Sequence, residues 1–481
     1  MPYDKYETVI GLEAHVQLST RTKAFCADDA TFGAAPNTHI STISMAHPGT
    51  LPHVNEEAIK YAVRLGLALG CEITRDTRFD RKNYFYADLP KGFQTTQDSH
   101  PICVGGKLRV KVGETERTVR LHHIHMEEDA GKSIHDINPK HSLIDLNRAG
   151  VPLLEVVTEP DLRSADEAAE FMTELRQIVR YLGICDGNMQ EGSMRCDCNV
   201  SVRLKGATEY GTRCEIKNIN SMRNAKRAIE YEARRQIRIL EKGGEIDQET
   251  RAFDAQVGHT DVVLRSKENA HDYRYLPEPD LLPVVLTEEY IEDIRANMPP
   301  LPHEIHAELT AKYGLSEYDA DVLLEEKEMV VFYKKITEHT KNYKAAANWL
   351  TNVIQSHLND NQLTINEFEL EAKTIAELIE LVDTNKLSNA AAAQKVFPEL
   401  VKQANTPPLE LAKKLNLIQD SDEGSIEAIV DAVIAKYPDK VKAYQKGKKG
   451  LIGMFMGEVM KASGGKVNPK VANRLLQEKL K

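Results

Sequence analysis

The side chains of this sequence best suited to chemistry sit on runs that alternate between apolar and polar. Across residues 9–18, Ile10, Leu12, Ala14, Val16 and Leu18 fall on one side, and Glu13, His15 and Gln17 on the other. Residues 195–203 set Arg195, Asp197, Asn199, Ser201 and Arg203 against Cys196, Cys198, Val200 and Val202, and Arg213, Glu215 and Lys217 likewise oppose Cys214 and Ile216. An ordinary solvated strand face is rich in Lys, Glu and Thr. These faces carry Arg, Asp, Asn and His, which coordinate cations or fork onto phosphates. A sheet with one dry face and one charged face makes an open basin for an anionic substrate.

Two acidic segments add to this chemistry. Glu127, Glu128 and Asp129 are consecutive, and mutual repulsion is expected to leave them in solvent or around a cation. Glu155 lies inside an apolar run and needs a partner, either a basic side chain or a metal ion. Magnesium takes a few carboxylate oxygens together with water and substrate phosphate, and Glu13, Glu127 and Glu155 can supply those oxygens. Other devices fail. Gly131-Lys132-Ser133 looks like the end of a P-loop, but Met126 stands where that motif needs glycine. Cys196, Cys198 and Cys214 fall on the dry side, as buried thiols rather than zinc ligands. His122, His123 and His125 lack cysteine partners, which makes a transition-metal site a weak reading. No Ser/Lys-rich amidase signature or Cys–His nucleophile pair is present, so amide hydrolysis within this chain is unsupported.

The elements that must position these residues follow from composition and breaks. The chain has 481 residues, 41% hydrophobic and 28% charged, with a net charge of −11, which describes a soluble globular protein of about three domains. No apolar run approaches the ~18–20 residues of a membrane span, and the first residues resemble neither a signal nor a transit peptide. Seven thinly spread cysteines point to reduced thiols in a cytoplasm. Ten basic residues against two acidic ones between Val441 and Lys481 give the tail +8 and leave −19 on residues 1–440, as if a polyanion were gripped at one end. A solvated helical face explains the same count.

Pro/Gly-rich breaks fall at Gly243-Gly244, Met298-Pro299-Pro300-Leu301-Pro302 and Asn405-Thr406-Pro407-Pro408. Before the second break the pattern is α+β. After it the pattern is helical over 304–313, 320–339, 344–356, 367–383 and 389–404. Ser164 and Glu167 form a capping box, with the serine oxygen facing the Glu167 amide and the glutamate reaching back to the serine amide. Phe171, Leu175, Ile178 and Leu182 follow at helical spacing, and Gly183 supplies the stop. A second helix runs from Ser221 to Gly243, and its many basic residues suit a solvated face as well as RNA contact.

Several strings together resemble the GatB family of bacterial tRNA-dependent amidotransferases. They are Val9-Ile10-Gly11-Leu12-Glu13-Ala14-His15-Val16, Asp80-Arg81-Lys82-Asn83-Tyr84-Phe85-Tyr86, residues 125–132, Glu191-Gly192-Ser193-Met194-Arg195-Cys196-Asp197 and Glu215-Ile216-Lys217-Asn218. The likeness continues through Asp272-Tyr273-Arg274-Tyr275-Leu276-Pro277-Glu278-Pro279-Asp280 and Val459-Met460-Lys461-Ala462-Ser463. The resemblance implies a heterotrimer with GatA and GatC in which GatA releases ammonia from glutamine. GatB then uses ATP to phosphorylate the side-chain carboxylate of Glu-tRNA(Gln) and/or Asp-tRNA(Asn), and ammonia displaces the phosphate. It further implies an antiparallel-sheet cradle similar to glutamine synthetase (residues 1–296), a helical domain (297–408) and a basic YqeY-like tail that binds tRNA (409–481).

On the same resemblance, Glu13, His15, Glu127 and Glu155 would hold Mg²⁺. Lys82, Arg195 and Lys217 would contact phosphate or carboxylate, and Asp129 and Asp197 would orient ammonia or a second ion. Many relatives carry a zinc site built on CxC and CxxC pairs. Here Cys26 is followed by Asp28, and Ser41 and Ser44 replace the second pair, so no structural zinc is expected. In the tail, Lys446, Lys448, Lys449, Lys461, Lys466 and Lys470 are expected on the tRNA backbone, with Gly453 and Gly457 allowing a helix to pack closely and Gly464-Gly465 opening a loop. A non-catalytic tRNA-binding adaptor would leave the carboxylates idle. A small-molecule carboxylate kinase would leave the tail unexplained.

Overall fold

The computed structural model describes residues 2–135, 137–266, 273–404, 406–419, 423–463 and 467–481. Lys466, the Gly464-Gly465 pair and Asp272 lie outside them. The chain divides into two compact units, Met1–Pro302 and His303–Lys481.

The first unit is built on one long sheet. Strand β1 (Tyr6–Gln17) lies at its centre, and the strands that flank it come from far along the chain. In chain order the other strands used below are β2 (Asp80–Asn83), β3 (Phe93–Thr96), β4 (Thr115–Glu128), β5 (Pro152–Thr158), β6 (Met194–Leu204), β7 (Cys214–Lys217), β8 (Glu249–Asp254), β9 (His259–Ser266) and β10 (Leu276–Pro277). The main path runs β9-β8-β7-β6-β1-β5-β4, then Cys103–Val104 and Glu72–Ile73. Every pair along it is antiparallel except β7 with β8, so the sheet is mixed rather than purely antiparallel. A separate three-stranded sheet, β10-β2-β3, stands beside it.

Register places the chemistry. Glu13 faces Val157 on one neighbour and Asp197 on the other, while His15 faces Glu155 and Arg195. Glu155 in turn faces His125, and Leu153 faces Glu127. The polar side chains of four strands therefore share one face. On the opposite face Ile10, Leu12, Ala14, Val16, Ile124, Leu154, Val156, Cys196, Cys198, Val200 and Ile216 are all buried. Two helices, α1 (Ala165–Leu182) and α2 (Met222–Glu241), pack into the same core as these residues. All seven cysteines are free, and five of them are buried. Burying this apolar face is the main stabilisation of the unit, since each fully buried Leu, Ile or Val contributes about 1.5–3 kcal/mol.

Helix α1 begins at Ser164, whose hydroxyl accepts the Glu167 amide, and ends at Gly183 with φ 69°. The capping box is only half formed. Glu167 reaches past Ser164 and accepts the Arg163 amide at 2.7 Å. On α2, Lys226 pairs with Asp166, Arg234 with Glu230 and Arg235 with buried Glu232, so much of its positive charge is already matched.

The second unit is helical throughout its described residues. The periodic stretch expected over 320–339 is two helices, Glu317–Leu324 and Lys327–Thr337, because the polar pair Glu325-Glu326 lies between them. Pro408–Lys414 buries Leu411 and Ala412. A core of Ile426, Val430, Tyr444, Phe455, Val459, Leu475 and Leu476, among others, holds the last four helices. Gly453 and Gly457 do not seat a neighbouring helix: a Cβ at either would meet nothing within 4 Å. Helix Leu451–Ala462 instead buries Phe455 and Val459.

Candidate active site

The wet face of the sheet floors a basin of about 2080 Å³ in the first unit. Glu13, His15, Lys82, Glu127, Asp129, Glu155, Arg195, Asp197 and Lys217 all line it, although they are scattered over more than a hundred residues of sequence. The side chains fall into two acidic triads.

The first triad is His15, Glu127 and Glu155, each offering a ligand atom within 4.8 Å of the other two. His15 Nε2 lies 3.4 Å from Glu155 and 3.9 Å from Glu127. His125, unassigned from sequence, adds a second imidazole whose Nε2 is 3.5 Å from Glu155 and 3.7 Å from Glu127. Burial opposes a charged ring at His15, but the Glu155 hydrogen bond and the neighbouring carboxylates outweigh it and carry the imidazole up to about 9. Burial likewise works against ionised Glu155, and the His15 hydrogen bond together with the charges of His125, His15 and Lys82 holds that carboxyl well below the usual range. One imidazole nitrogen and two carboxylates, with room beside them, suit a divalent cation that completes its shell with water and phosphate.

Glu13 does not complete this triad. It lies one row further along the sheet and forms a second group with Asp197 and Glu215, again within 4.8 Å. Glu215 is the ligand-type residue that sequence reasoning left unassigned. Its place on the same face as Lys217, two residues away, was the available signal. The second group carries its own cation: Lys217 Nζ is 2.7 Å from Asp197 and 2.8 Å from Glu215. Thr250 donates to Glu215 at 2.7 Å, and Asn199 donates to Glu13 at 2.9 Å. Burial, then the charges of Glu155 and Glu215, push the Glu13 carboxyl above its ordinary value. Burial is outweighed at Lys217, where the two carboxylates hold the ammonium above its usual range.

The consecutive acids are neither solvated nor gathered on one ion. Glu127, Glu128 and Asp129 are each no more than 5% exposed and take separate partners. Glu127 meets the histidines, Glu128 pairs with Lys91, and Asp129 pairs with Arg195 at 2.9 Å. Arg148 stands 3.7 Å from Asp129 and donates to the carbonyls of Ala130 and Gly131.

Lys82 differs from Arg195 and Lys217. Among the described residues it has no carboxylate at ion-pair distance, and its ammonium lies 5.0 Å from the Tyr273 ring centre and 5.9 Å from that of Tyr84. Of the basin's cations named from sequence, Lys82 is the one held without a counter-ion.

Asp28, Ser41 and Ser44 also converge. The Ser44 hydroxyl donates to Asp28 at 2.5 Å and accepts the Ser41 amide at 2.9 Å. Burial of Asp28 is offset by hydrogen bonds from Ser44, Ser41 and Cys26, which keep its carboxyl low. In the second unit, Lys446, Lys448 and Lys449 are exposed before helix Leu451–Ala462, with Lys449 over the Tyr444 ring at 4.3 Å. Lys461 is exposed in the last turn of that helix, and Lys470 is exposed in the first turn of helix Pro469–Lys479.

An α+β catalytic body followed by a helical unit defines the class, and the family models agree with it. One described as the GatB/GatE catalytic domain matches residues 8–292, and one described as the GatB domain matches residues 331–480. The chain belongs to the GatB family. It is 46% identical, over 99% of its length, to the GatB subunit of the aspartyl/glutamyl-tRNA(Asn/Gln) amidotransferase of Persephonella marina, all of which is covered. The protein of the same name from Chlorobium luteolum is 48% identical over 99% of each chain.

Proposed function

We propose that this chain is the phosphorylating and amidating subunit of a glutamine-dependent, tRNA-dependent amidotransferase. It activates the side-chain carboxylate of Glu-tRNA(Gln) and/or Asp-tRNA(Asn) with ATP and replaces the phosphate with ammonia. The observation that carries this reading is the convergence of Lys82 and the His15–Glu127–Glu155 triad in one open basin.

Phosphoryl transfer from ATP to a carboxylate demands positive charge around the moving phosphoryl oxygens rather than a protein nucleophile. Bound at the triad, Mg²⁺ would supply part of that charge. Lys82, with no carboxylate at ion-pair distance among the described residues, takes the phosphoryl oxygens directly. Arg195 and Lys217, already engaged by Asp129 and Asp197, hold those acids in place and keep their negative charge off the incoming substrate. The substrate carboxylate oxygen forms a bond to the γ-phosphorus as the bond to the β-phosphate oxygen breaks and ADP leaves. Ammonia nitrogen then bonds to the acyl carbon, phosphate departs, and nitrogen loses one proton. Asp129 and Asp197 lie at the basin wall, where a carboxylate orients ammonia or takes up that proton.

The likeness to the GatB family implies GatA as the ammonia source and GatC as the third subunit, and an outside ammonia source fits a sequence with no Cys–His nucleophile pair or Ser/Lys-rich amidase signature. Ammonia must reach the acyl phosphate unprotonated, which favours delivery through a passage closed to water. The exposed tail lysines serve the tRNA backbone, and removal of residues 409–481 is expected to weaken tRNA binding while sparing phosphorylation. Unchanged tRNA affinity in that truncation overturns this role. No structural zinc is proposed at Cys26, because Asp28, Ser41 and Ser44 satisfy one another there. No helix among the described residues is long and apolar enough to cross a membrane, and we place the protein in the cytoplasm with its free thiols.

The test is ATP hydrolysis with and without misacylated tRNA, in the parent and in Glu127→Ala and Glu155→Ala. Stimulation by charged tRNA that disappears in both variants supports the reading. Stimulation by a free amino acid points to a small-molecule kinase, and absence of phosphoryl transfer points to an adaptor. The adaptor is not favoured, because it leaves the triad without a task.

A further inference from the structure

Lys82 projects into the basin, and among the described residues no carboxylate lies at ion-pair distance from it, so its long side chain is fixed there by other contacts. Two tyrosine rings do so. Tyr84 and Tyr273 meet edge to face with centres 6.0 Å apart, and the Lys82 ammonium lies near both. Such cation–π contact holds an ammonium in place while leaving its donors available. Tyr84 follows Lys82 closely in the chain, but Tyr273 arrives from a segment nearly two hundred residues later.

The placement of Tyr273 depends on an unusual turn. Arg274 adopts φ 45°, the left-handed region that a long side chain other than Asn or Asp seldom occupies. A neighbour must hold a turn of that kind in place, and among the described residues Asn83 does so. Its backbone amide donates to the Tyr273 carbonyl at 2.9 Å, and its side-chain Nδ2 donates to the Arg274 carbonyl at 2.8 Å. Beyond the turn, β10 pairs with β2 through Leu276 with Arg81 and Pro277 with Asp80. There Arg81 grips Glu278 with two hydrogen bonds, at 2.8 and 2.7 Å. The segment is thus anchored at its far end by Arg81 and at the strained end by Asn83.

Resting on the role given to Lys82 above, we propose that Asn83 is a positioning residue for phosphoryl transfer: it locks the Arg274 turn, which seats Tyr273 against Lys82 and aims the ammonium at the transferred group. Asn83 lines the same basin as Lys82, but its side-chain amide is engaged by the Arg274 carbonyl, so it acts through the backbone of the other segment rather than on substrate.

The experiment measures ATP-dependent phosphoryl transfer in the assembled amidotransferase with misacylated tRNA. Asn83→Ala removes the side-chain donor, Asn83→Asp replaces it with an acceptor of the same shape, and Asn83→Gln retains an amide. Alanine and aspartate are expected to lower kcat roughly 10- to 100-fold, the scale of a misplaced catalytic group, with the KM for ATP within about threefold because the ground-state site is intact. Glutamine should recover part of the loss. In the Lys82→Ala background, adding Asn83→Ala should cost nothing further, since the group it positions is gone. An Asn83→Ala enzyme of unchanged kcat overturns the proposal. So does a loss that multiplies with Lys82→Ala, or one matched by a fall in the folded fraction seen by thermal melting. A parent complex that transfers no phosphoryl group overturns the functional reading and this inference together, whereas parent transfer with an unaffected Asn83→Ala overturns this inference alone.

Discussion

Two acidic triads share the basin floor, one row of the sheet apart, and they are neutralised in different ways. In the group of Glu13, Asp197 and Glu215, the latter two hold the ammonium of Lys217, a cation that belongs to the chain. Glu127 and Glu155 close around two imidazoles, whose charge can be given up as protons. A lysine held above its usual range stays charged at every working pH, so the second triad is a finished ion cluster. A histidine can exchange its proton for a metal ion, so the first triad is the exchangeable one. The same sheet thus provides a permanent electrostatic wall beside a cation seat.

The comparison breaks most sharply under Glu155→Ala. Removing the carboxylate that both histidines face should reduce phosphoryl transfer by about 10³-fold, the scale of losing a principal charge-stabilising group. Steady-state ATP turnover with charged tRNA measures it. Lys217→Met comes next. It leaves Glu13, Asp197 and Glu215 without their cation, which should cost about 10²-fold and create a second divalent-ion site. A Mn²⁺ titration should then count one more bound ion than in the parent, and activity should recover partly at high divalent-ion concentration.

Acidity sharpens the contrast further. The His15 ring, carried up to about 9 in the ion-free protein, is protonated at pH 7 and must lose that proton when a cation binds. Cation affinity should therefore rise about tenfold per pH unit up to pH 9, with close to one proton released at neutrality. Calorimetry in buffers of different ionisation heat reads the proton count, and a value of zero contradicts the assignment. Asn199→Ala should have the smallest effect. It removes the hydrogen bond to Glu13, raises that carboxyl further and slows turnover about three- to tenfold, since a typical hydrogen bond contributes about 0.5–1.5 kcal/mol net.

What was legible in the sequence was local. Period-two alternation put Glu13, His15, Arg195, Asp197, Glu215 and Lys217 on one face, because pleat direction is decided within each strand. Pairing is not local. Nothing near Glu13 announces that β1 runs between β5 and β6 with Glu13 beside Asp197 and His15 beside Glu155, so the regrouping of Glu13 with Glu215 emerges only in three dimensions. The parallel placement of β8, which brings Thr250 to Glu215, is equally silent in the sequence. Glu127, Glu128 and Asp129 looked repulsive because their partners His15, Lys91 and Arg195 come from separate segments. In the second unit, helical spacing ran straight through Glu325-Glu326, since apolar periodicity does not register a break whose flanking helices keep phase.

The account turns on the formation of an acyl phosphate over the His15–Glu127–Glu155 triad. Hydroxylamine, supplied in place of ammonia to the complex with ATP and Glu-tRNA(Gln), captures such a species as the side-chain hydroxamate on the tRNA-bound amino acid. ATP-dependent hydroxamate in the parent and its loss in Glu155→Ala is the predicted result. Equal hydroxamate in the variant, or none in the parent, contradicts it.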